Sequence, residues 1–218
     1  MAIVIDGNNT PTAGGIGYGD GTELAFTTVG SSGQVLQSNG ASAPSWVTPS
    51  PSAMTLISTQ TASNSASLAW TGLSGYNNYM LIFDGLAPNA GGYFLYVQVG
   101  TPSYITSYTA NEIAVAGNGA VSNSYQSAGS SIVPIGWTNT VRSTSSVSGA
   151  IRIYNMTNSV LTNAEGTALF IDQTNNLFNS SIVSGQVGSS TAAKTAIRIL
   201  YSTSNIVSGT ASLYGITS

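Results

Sequence analysis

The chain has no cysteine and no histidine in 218 residues, and only 5% of it is Asp, Glu, Lys or Arg. Soluble domains carry about 25% charged residues. Without cysteine there is no disulfide framework and no thiolate metal site, which fits maturation in a reducing cytoplasm. Without histidine the many serines have no evident base to activate them, so nucleophilic catalysis lacks its usual arrangement. Charge is also unevenly placed: residues 1–141 hold Asp6, Asp20, Glu23, Asp84 and Glu112 and no base, whereas Arg142, Arg152, Lys194 and Arg198 lie beyond them with Glu165 and Asp172. Four scattered cations are too few for a phosphate-tracking surface, which excludes nucleic acid as a partner. No run approaches the roughly 18 apolar residues of a membrane helix, so no membrane insertion is expected. Met1–Asp6 has no basic leader and does not read as a secretory signal. With one lysine in the chain, strand edges lack the usual gatekeepers against pairing with other chains. Such a surface suits assembly.

What is present argues for folding. The chain is 42% hydrophobic, with 11 Tyr, 3 Trp and 5 Phe, more than a disordered segment carries. Residues 1–53 are rich in Gly, Ser, Asn, Pro and Thr and hold short apolar islands, among them Ile3 and Ile5, Leu24 and Phe26, Val35 and Leu36, and Trp46. Islands this short gain burial from neighbouring chains, so the segment reads as an extended N-terminal anchoring and trimerisation arm that ends at Pro49 and Pro51. From residue 54 to 218 the pattern is strand-length runs parted by turn residues, with no sustained helical period. Clear runs lie at 77–84, 93–99, 150–156, 167–172, 195–201 and 206–216, with weaker ones near 54–61, 66–71, 112–116, 131–136 and 181–187. The fold class is therefore all-β: a β-sandwich, with the jelly roll as one form of it, preceded by the arm.

Several segments invite a chemical reading. The glycine-dense stretch Gly14–Gly21 lacks G-x-G-x-x-G spacing and any following Lys-Ser or Lys-Thr, so tight turns account for it better than a phosphate loop. Asp20 with Glu23, or Asp6 in its Asn-rich turn, offers fewer carboxylates than a calcium site gathers. Asp84, Glu112, Glu165 and Asp172 are the carboxylates a glycosidase could use, but Glu165 and Asp172 are seven apart and an odd offset on one strand points them to opposite faces. No catalytic residue, metal ligand or cofactor is expected. Ile-Arg-Ile occurs at 151–153 and 197–199, placing Arg152 and Arg198 either in solvent or opposite Glu165 or Asp172. Residues 102–137 look least strand-like, and Tyr104, Tyr108, Tyr125 and Trp137 there are candidate receptor or glycan contacts, since sugar binding uses flat aromatic faces on loops. The alternative is that these rings are core.

Two groups of residues carry a family resemblance. Gly17–Phe26, then Ser32-Gly33-Gln34-Val35-Leu36, Ser38-Asn39-Gly40 and Pro44-Ser45-Trp46, resemble a short module of bacteriophage tail-fibre and appendage proteins. Tyr76–Phe83 with the ending Ser208-Gly209-Thr210-Ala211-Ser212-Leu213-Tyr214-Gly215-Ile216 is similar to the first and last strands of a β-sandwich module in phage structural proteins. About 100–145 has no counterpart. The resemblance implies a non-enzymatic homotrimer on the virion surface, assembled in the host cytoplasm. It implies that Ile3, Ile5, Leu24, Phe26, Val35, Leu36 and Trp46 join the arm to a capsid or tail protein, and that the sandwich is displayed outward, with a host-surface glycan as a candidate second partner. A stand-alone carbohydrate-binding, lectin-like module is the rival expectation.

Overall fold

The computed structural model describes residues 12–50, 53–101, 103–129, 133–135, 141–157, 160–174, 176–187 and 190–217. The chain divides into two compact units, Met1–Pro51 and Ser52–Ser218. Ile3, Ile5 and Trp137 lie outside the described residues.

The first unit holds two antiparallel hairpins, β1 (Gly17–Gly19) with β2 (Leu24–Phe26) and β3 (Val35–Asn39) with β4 (Ser42–Val47). The arm is thus locally paired rather than simply extended. The residues that carry the resemblance close its turns. Asn39 Nδ2 donates to Ala43 O (2.8 Å) and Ser45 Oγ (3.2 Å) across Gly40, whose φ of 68° is one that glycine adopts without cost. The Gln34 side chain accepts from Ser31 N–H (2.8 Å). Trp46 Nε1 donates to Thr28 O (2.7 Å), and its ring lies against Gly30, where a Cβ would fall 2.5 Å from the indole. The Pro-x-Trp signature is therefore a clamp between β4 and the 28–30 segment.

The second unit is an antiparallel sandwich. Its strands are β5 (Met54–Thr61), β6 (Leu68–Trp70), β7 (Asn78–Pro88), β8 (Leu95–Gly100), β9 (Tyr108–Ala116), β10 (Val121–Gly129), β11 (Val133–Ile135), β12 (Val147–Tyr154), β13 (Asn163–Ile171), β14 (Phe178–Val187), β15 (Ala196–Tyr201) and β16 (Ile206–Ile216). One sheet runs β10-β9-β14-β13-β12-β7-β16-β5 and the other β11-β8-β15-β6. Set aside the hairpins β9–β10 and β13–β14, and number the remaining eight strands in chain order. The sheets then read 1-8-3-6 and 2-7-4-5, which is the strand order of a jelly roll. Both hairpins are insertions that widen one sheet.

Alternation explains the core. Leu95, Val97 and Val99 of β8 and Ile197 and Ile199 of β15 face Tyr79, Leu81 and Phe83 of β7, Ile151 and Ile153 of β12 and Leu213 of β16, all buried. At one end of this core the side chain of Lys194 is covered, its ammonium donating to Ser190 O (2.7 Å), and burial lowers its pKa.

Placement of the basic residues predicts a proteolysis pattern. Arg152 and Arg198 are central in paired strands, and Lys194 is buried. Arg142 sits instead in a turn, with its N–H on Ile171 O (3.0 Å) and its carbonyl accepting from Ser145 N–H (3.1 Å). Native protein treated with trypsin should be nicked first after Arg142, read by mass spectrometry of the fragments. Rapid cutting at Arg152 or Arg198 would contradict the strand pairing.

Candidate functional site

Widening the sheet leaves its outer face broad and open to solvent. Register lines the side chains into rows: Asn111, Ser184, Glu165, Arg152, Met80 and Tyr214 follow one another across β9, β14, β13, β12, β7 and β16. Tyr125 of β10 and Leu56 of β5 end that row on either side. The neighbouring row passes through Ile113, Ile182, Thr167, Ala150 and Ile82.

The charges on this face are answered within it. Tyr154 donates its hydroxyl hydrogen to Glu165 and lies 3.3 Å from Arg152 Nη1, whose guanidinium is 5.9 Å from the Tyr154 ring centroid. The Tyr154 contact raises the Arg152 pKa further. Arg152 and Glu165 are direct cross-strand partners, so the Ile-Arg-Ile repeat at 151–153 places its arginine opposite an acid. Asp84 Oδ1 accepts from Ser148 Oγ (2.7 Å). Two adjoining hollows share Glu165 and Ser184. One, of about 410 Å³, is lined by Met80, Ala150, Thr167 and Ile182. The other, of about 360 Å³, is lined by Asn111, Tyr154, Asn163 and Gln186, the last donating to Asn163 Oδ1 (2.7 Å). The first exists because Ala150 and Thr167 are small between larger neighbours.

Around the hollows the face is apolar. Ile113, Val115, Val121, Leu169 and Ile182 are exposed on the inserted hairpins, Val121 at 68% and Ile182 at 61%. Met54, Leu56 and Ile82 are exposed on β5 and β7, next to the half-buried Met80 and Tyr214. Scattered apolar residues are ordinary, but contiguous ones mark a contact surface. These positions were not singled out from sequence, because period-2 alternation of apolar residues on both faces is also what a strand covered on both sides shows.

The four aromatic candidates separate. Tyr125 is exposed at 66%, on a strand and not a loop. Tyr104 is half-buried beneath Arg198, whose guanidinium carbon lies 3.9 Å from the ring centroid, and burial raises its pKa. Arg198 also donates through Nε to Gln98 (2.7 Å), so it is paired with neither acid and is not free in solvent. Tyr108 is a correction: it opens β9, is 0% exposed, and donates its hydroxyl to Val99 O (3.0 Å). It is a core residue. Trp137 lies outside the described residues.

The arm candidates separate likewise. Leu24, Val35 and Leu36 are exposed, as are Ile16 and Val29, which sequence reading passed over. Phe26 and Trp46 are half-buried within the unit, so Trp46 works as the clamp described above and offers less to a partner than expected.

The carboxylates do not converge. Glu112 and Glu165 point to opposite faces of the sheet, Glu112 buried and accepting from Ser181 Oγ (2.6 Å). Asp172 is buried just beyond β13. Asp84 and Glu165 share the outer face but lie two strands and about four residues apart, roughly 16 Å from strand spacing and rise. Glycosidase pairs stand about 5–9.5 Å apart. Asp20 closes the β1–β2 turn, accepting at Oδ1 from Thr22 N–H, Glu23 N–H and the Thr22 hydroxyl, each at 2.8 Å. Those backbone donors, Glu23's first, hold its carboxyl below the usual range. No family model, curated protein or solved structure matches the chain.

Proposed function

We propose that this is a structural protein of a bacteriophage particle, a fibre or decoration protein attached to the capsid or tail, non-enzymatic and homotrimeric. Residues 1–53 dock on a virion protein, and the jelly roll of 54–218 is displayed outward at the virion surface. One observation carries the reading most directly. The first unit uses Gln34 and Asn39 to close turns, yet leaves Ile16, Leu24, Val29, Val35 and Leu36 exposed. A unit of two short hairpins with five exposed apolar side chains gains most of its burial from another chain. The jelly roll agrees with the reading without deciding it, since the same fold serves viral capsid proteins and lectins.

The test is attachment. Full-length protein should co-sediment with particles and have a trimer's mass in light scattering, and the chain lacking residues 1–53 should stay folded and no longer co-sediment. Normal attachment of the truncated chain would place the anchor elsewhere, and a stable wild-type monomer at micromolar concentration would refute the trimer.

The rival reading, a carbohydrate-binding module, rests on the amide-lined hollow of Asn111, Asn163 and Gln186 near the exposed Tyr125. Neutral sugars are held by such amides beside a flat ring. A monomer that bound an oligosaccharide equally well without residues 1–53 would favour it.

A further inference from the structure

We propose that the two adjoining hollows on the outer face of the eight-stranded sheet form one trough that binds a neutral oligosaccharide, with the Tyr125 ring as its stacking end. The inference goes beyond the structural role proposed above and does not depend on it. It names what the displayed face takes and puts the contact on strands rather than loops.

The trough is a product of register. Tyr125, Asn111, Ser184, Glu165 and Arg152 are successive cross-strand partners from β10 to β12, and Gln186, Asn163 and Tyr154 form the next row over β14, β13 and β12. Four strand spacings of about 4.8 Å make the first row about 19 Å long, which suits a short chain of sugars better than a single ring. The hollows, of about 410 and 360 Å³, each fall in the range of roughly 300–1,000 Å³ found for small-ligand sites.

The ligand class follows from the hydrogen-bonding groups left over. Gln186 Nε2 donates to Asn163 Oδ1 (2.7 Å), which orients both amides and leaves Gln186 Oε1 to accept and Asn163 Nδ2 to donate. Asn111 and Ser184 are exposed and make no side-chain hydrogen bond among the described residues. Donors and acceptors set side by side suit hydroxyl groups, each of which does both. Arg152 and Glu165 are joined through Tyr154, so an ionic ligand meets a like charge in the trough and no unpaired opposite one. A protein partner is served less well. Protein interfaces bury an apolar core, and the exposed Ile113, Val115 and Leu169 lie outside the trough, in the rows to one side of it. Tyr125 stands directly opposite Asn111 at 66% exposure and offers the flat face on which a sugar ring stacks.

The experiment puts the full chain on a printed array of neutral and acidic oligosaccharides. Wild type should bind neutral members alone, and Tyr125→Ala and Asn111→Ala should each lower the apparent affinity about ten-fold with an unchanged far-ultraviolet circular dichroism spectrum. Tyr125→Phe keeps the ring and should stay within about three-fold of wild type. Should Tyr125→Ala unfold the edge strand, Asn111→Asp, which keeps the shape and adds an unpaired charge to the trough, should abolish binding in its place. No signal on any neutral oligosaccharide overturns the proposal, and so does binding to acidic members alone. Neutral binding that survives Asn111→Ala and Asn111→Asp puts the sugar elsewhere and overturns the site. Co-sedimentation with particles lost in folded Asn111→Ala, with array binding unchanged, overturns it by assigning the face to a virion protein. The mass of the wild type keeps this separate from the fibre reading: a monomer that binds neutral members refutes the trimer and leaves the trough standing, and a trimer that binds none does the reverse.

Discussion

Tyr108→Ala should cost the sandwich roughly 3–5 kcal/mol of stability, the range for emptying a buried aromatic site, and Tyr108→Phe about 1–3 kcal/mol. The reason lies in how an inserted hairpin is tied to the jelly roll. Among the described residues, β11 pairs with Leu95–Val97 of β8, and Val99 lies beyond that pairing. The Tyr108 hydroxyl bonds both backbone groups of Val99: it donates to Val99 O (3.0 Å), which also accepts from Ile105 N–H (2.9 Å), and it accepts from Val99 N–H (3.2 Å). Removing only that hydroxyl leaves Val99 N–H without this acceptor in a buried setting, where an unmade hydrogen bond is expensive. Burial also raises the phenol's pKa. Equilibrium urea unfolding at fixed protein concentration measures both variants. Wild-type stability in Tyr108→Ala would return the residue to the candidate binding surface. Binding lost in Tyr108→Phe at unchanged stability would do the same.

Tyr108 also shows where sequence reading stopped. The strands legible from sequence alone are those whose inner positions are large: Tyr79, Leu81 and Phe83 in β7, Leu95, Val97 and Val99 in β8, Ile197 and Ile199 in β15. β9 and β10 occupy most of the stretch that looked least strand-like, where only 112–116 within β9 reads as a weak strand. Beyond Tyr108, their inward positions are Ala110, Glu112, Ala114 and Ala116 on β9 and Ser122 and Ser124 on β10, too small or too polar to give an apolar alternation. Small residues suit that place because β11 lies close to β9, β13 and β14 there. With β10 missed and β9 legible only at 112–116, the aromatic residues around them were assigned to loops, and the sheet's breadth was not foreseen. The outer-face site went unseen for the same reason: it is made by register across strands far apart in sequence, and a single sequence shows composition but not register. The arm was legible in its turn residues and less so in its pairing, since strands of three residues carry almost no period.

Gly215→Ala should destabilise the protein by about 1–3 kcal/mol, and the sign should reverse once Tyr76 is removed. Gly215 lies near the end of β16, paired with Tyr79 of β7, and the Tyr76 ring covers its inner side. A Cβ there would stand 2.3 Å from Tyr76 Cδ2, so the ring has to move out of its edge-on contact with Tyr79, where the centroids are 6.1 Å apart at 74°. Overpacking of this kind costs about 1–3 kcal/mol. The backbone itself has no objection to alanine, because Gly215 is not among the glycines with positive φ, and alanine in a strand gains roughly 0.5–1 kcal/mol over glycine. In a Tyr76→Ala background, which is itself less stable, Gly215→Ala should therefore be neutral or stabilising. The coupling in a double-mutant cycle should be at least about 1 kcal/mol, well above the additivity error of distant sites. This pair links the two segments that carry the family resemblance, Tyr76 at the entry to β7 and Leu213-Tyr214-Gly215-Ile216 at the close of β16. Their shared presence in the sequence is, on this account, one packing contact: a glycine kept small so that a tyrosine 139 positions earlier can lie flat on the last strand. Additive effects of the two substitutions would show that the contact does not restrict position 215, and the glycine would then need another explanation.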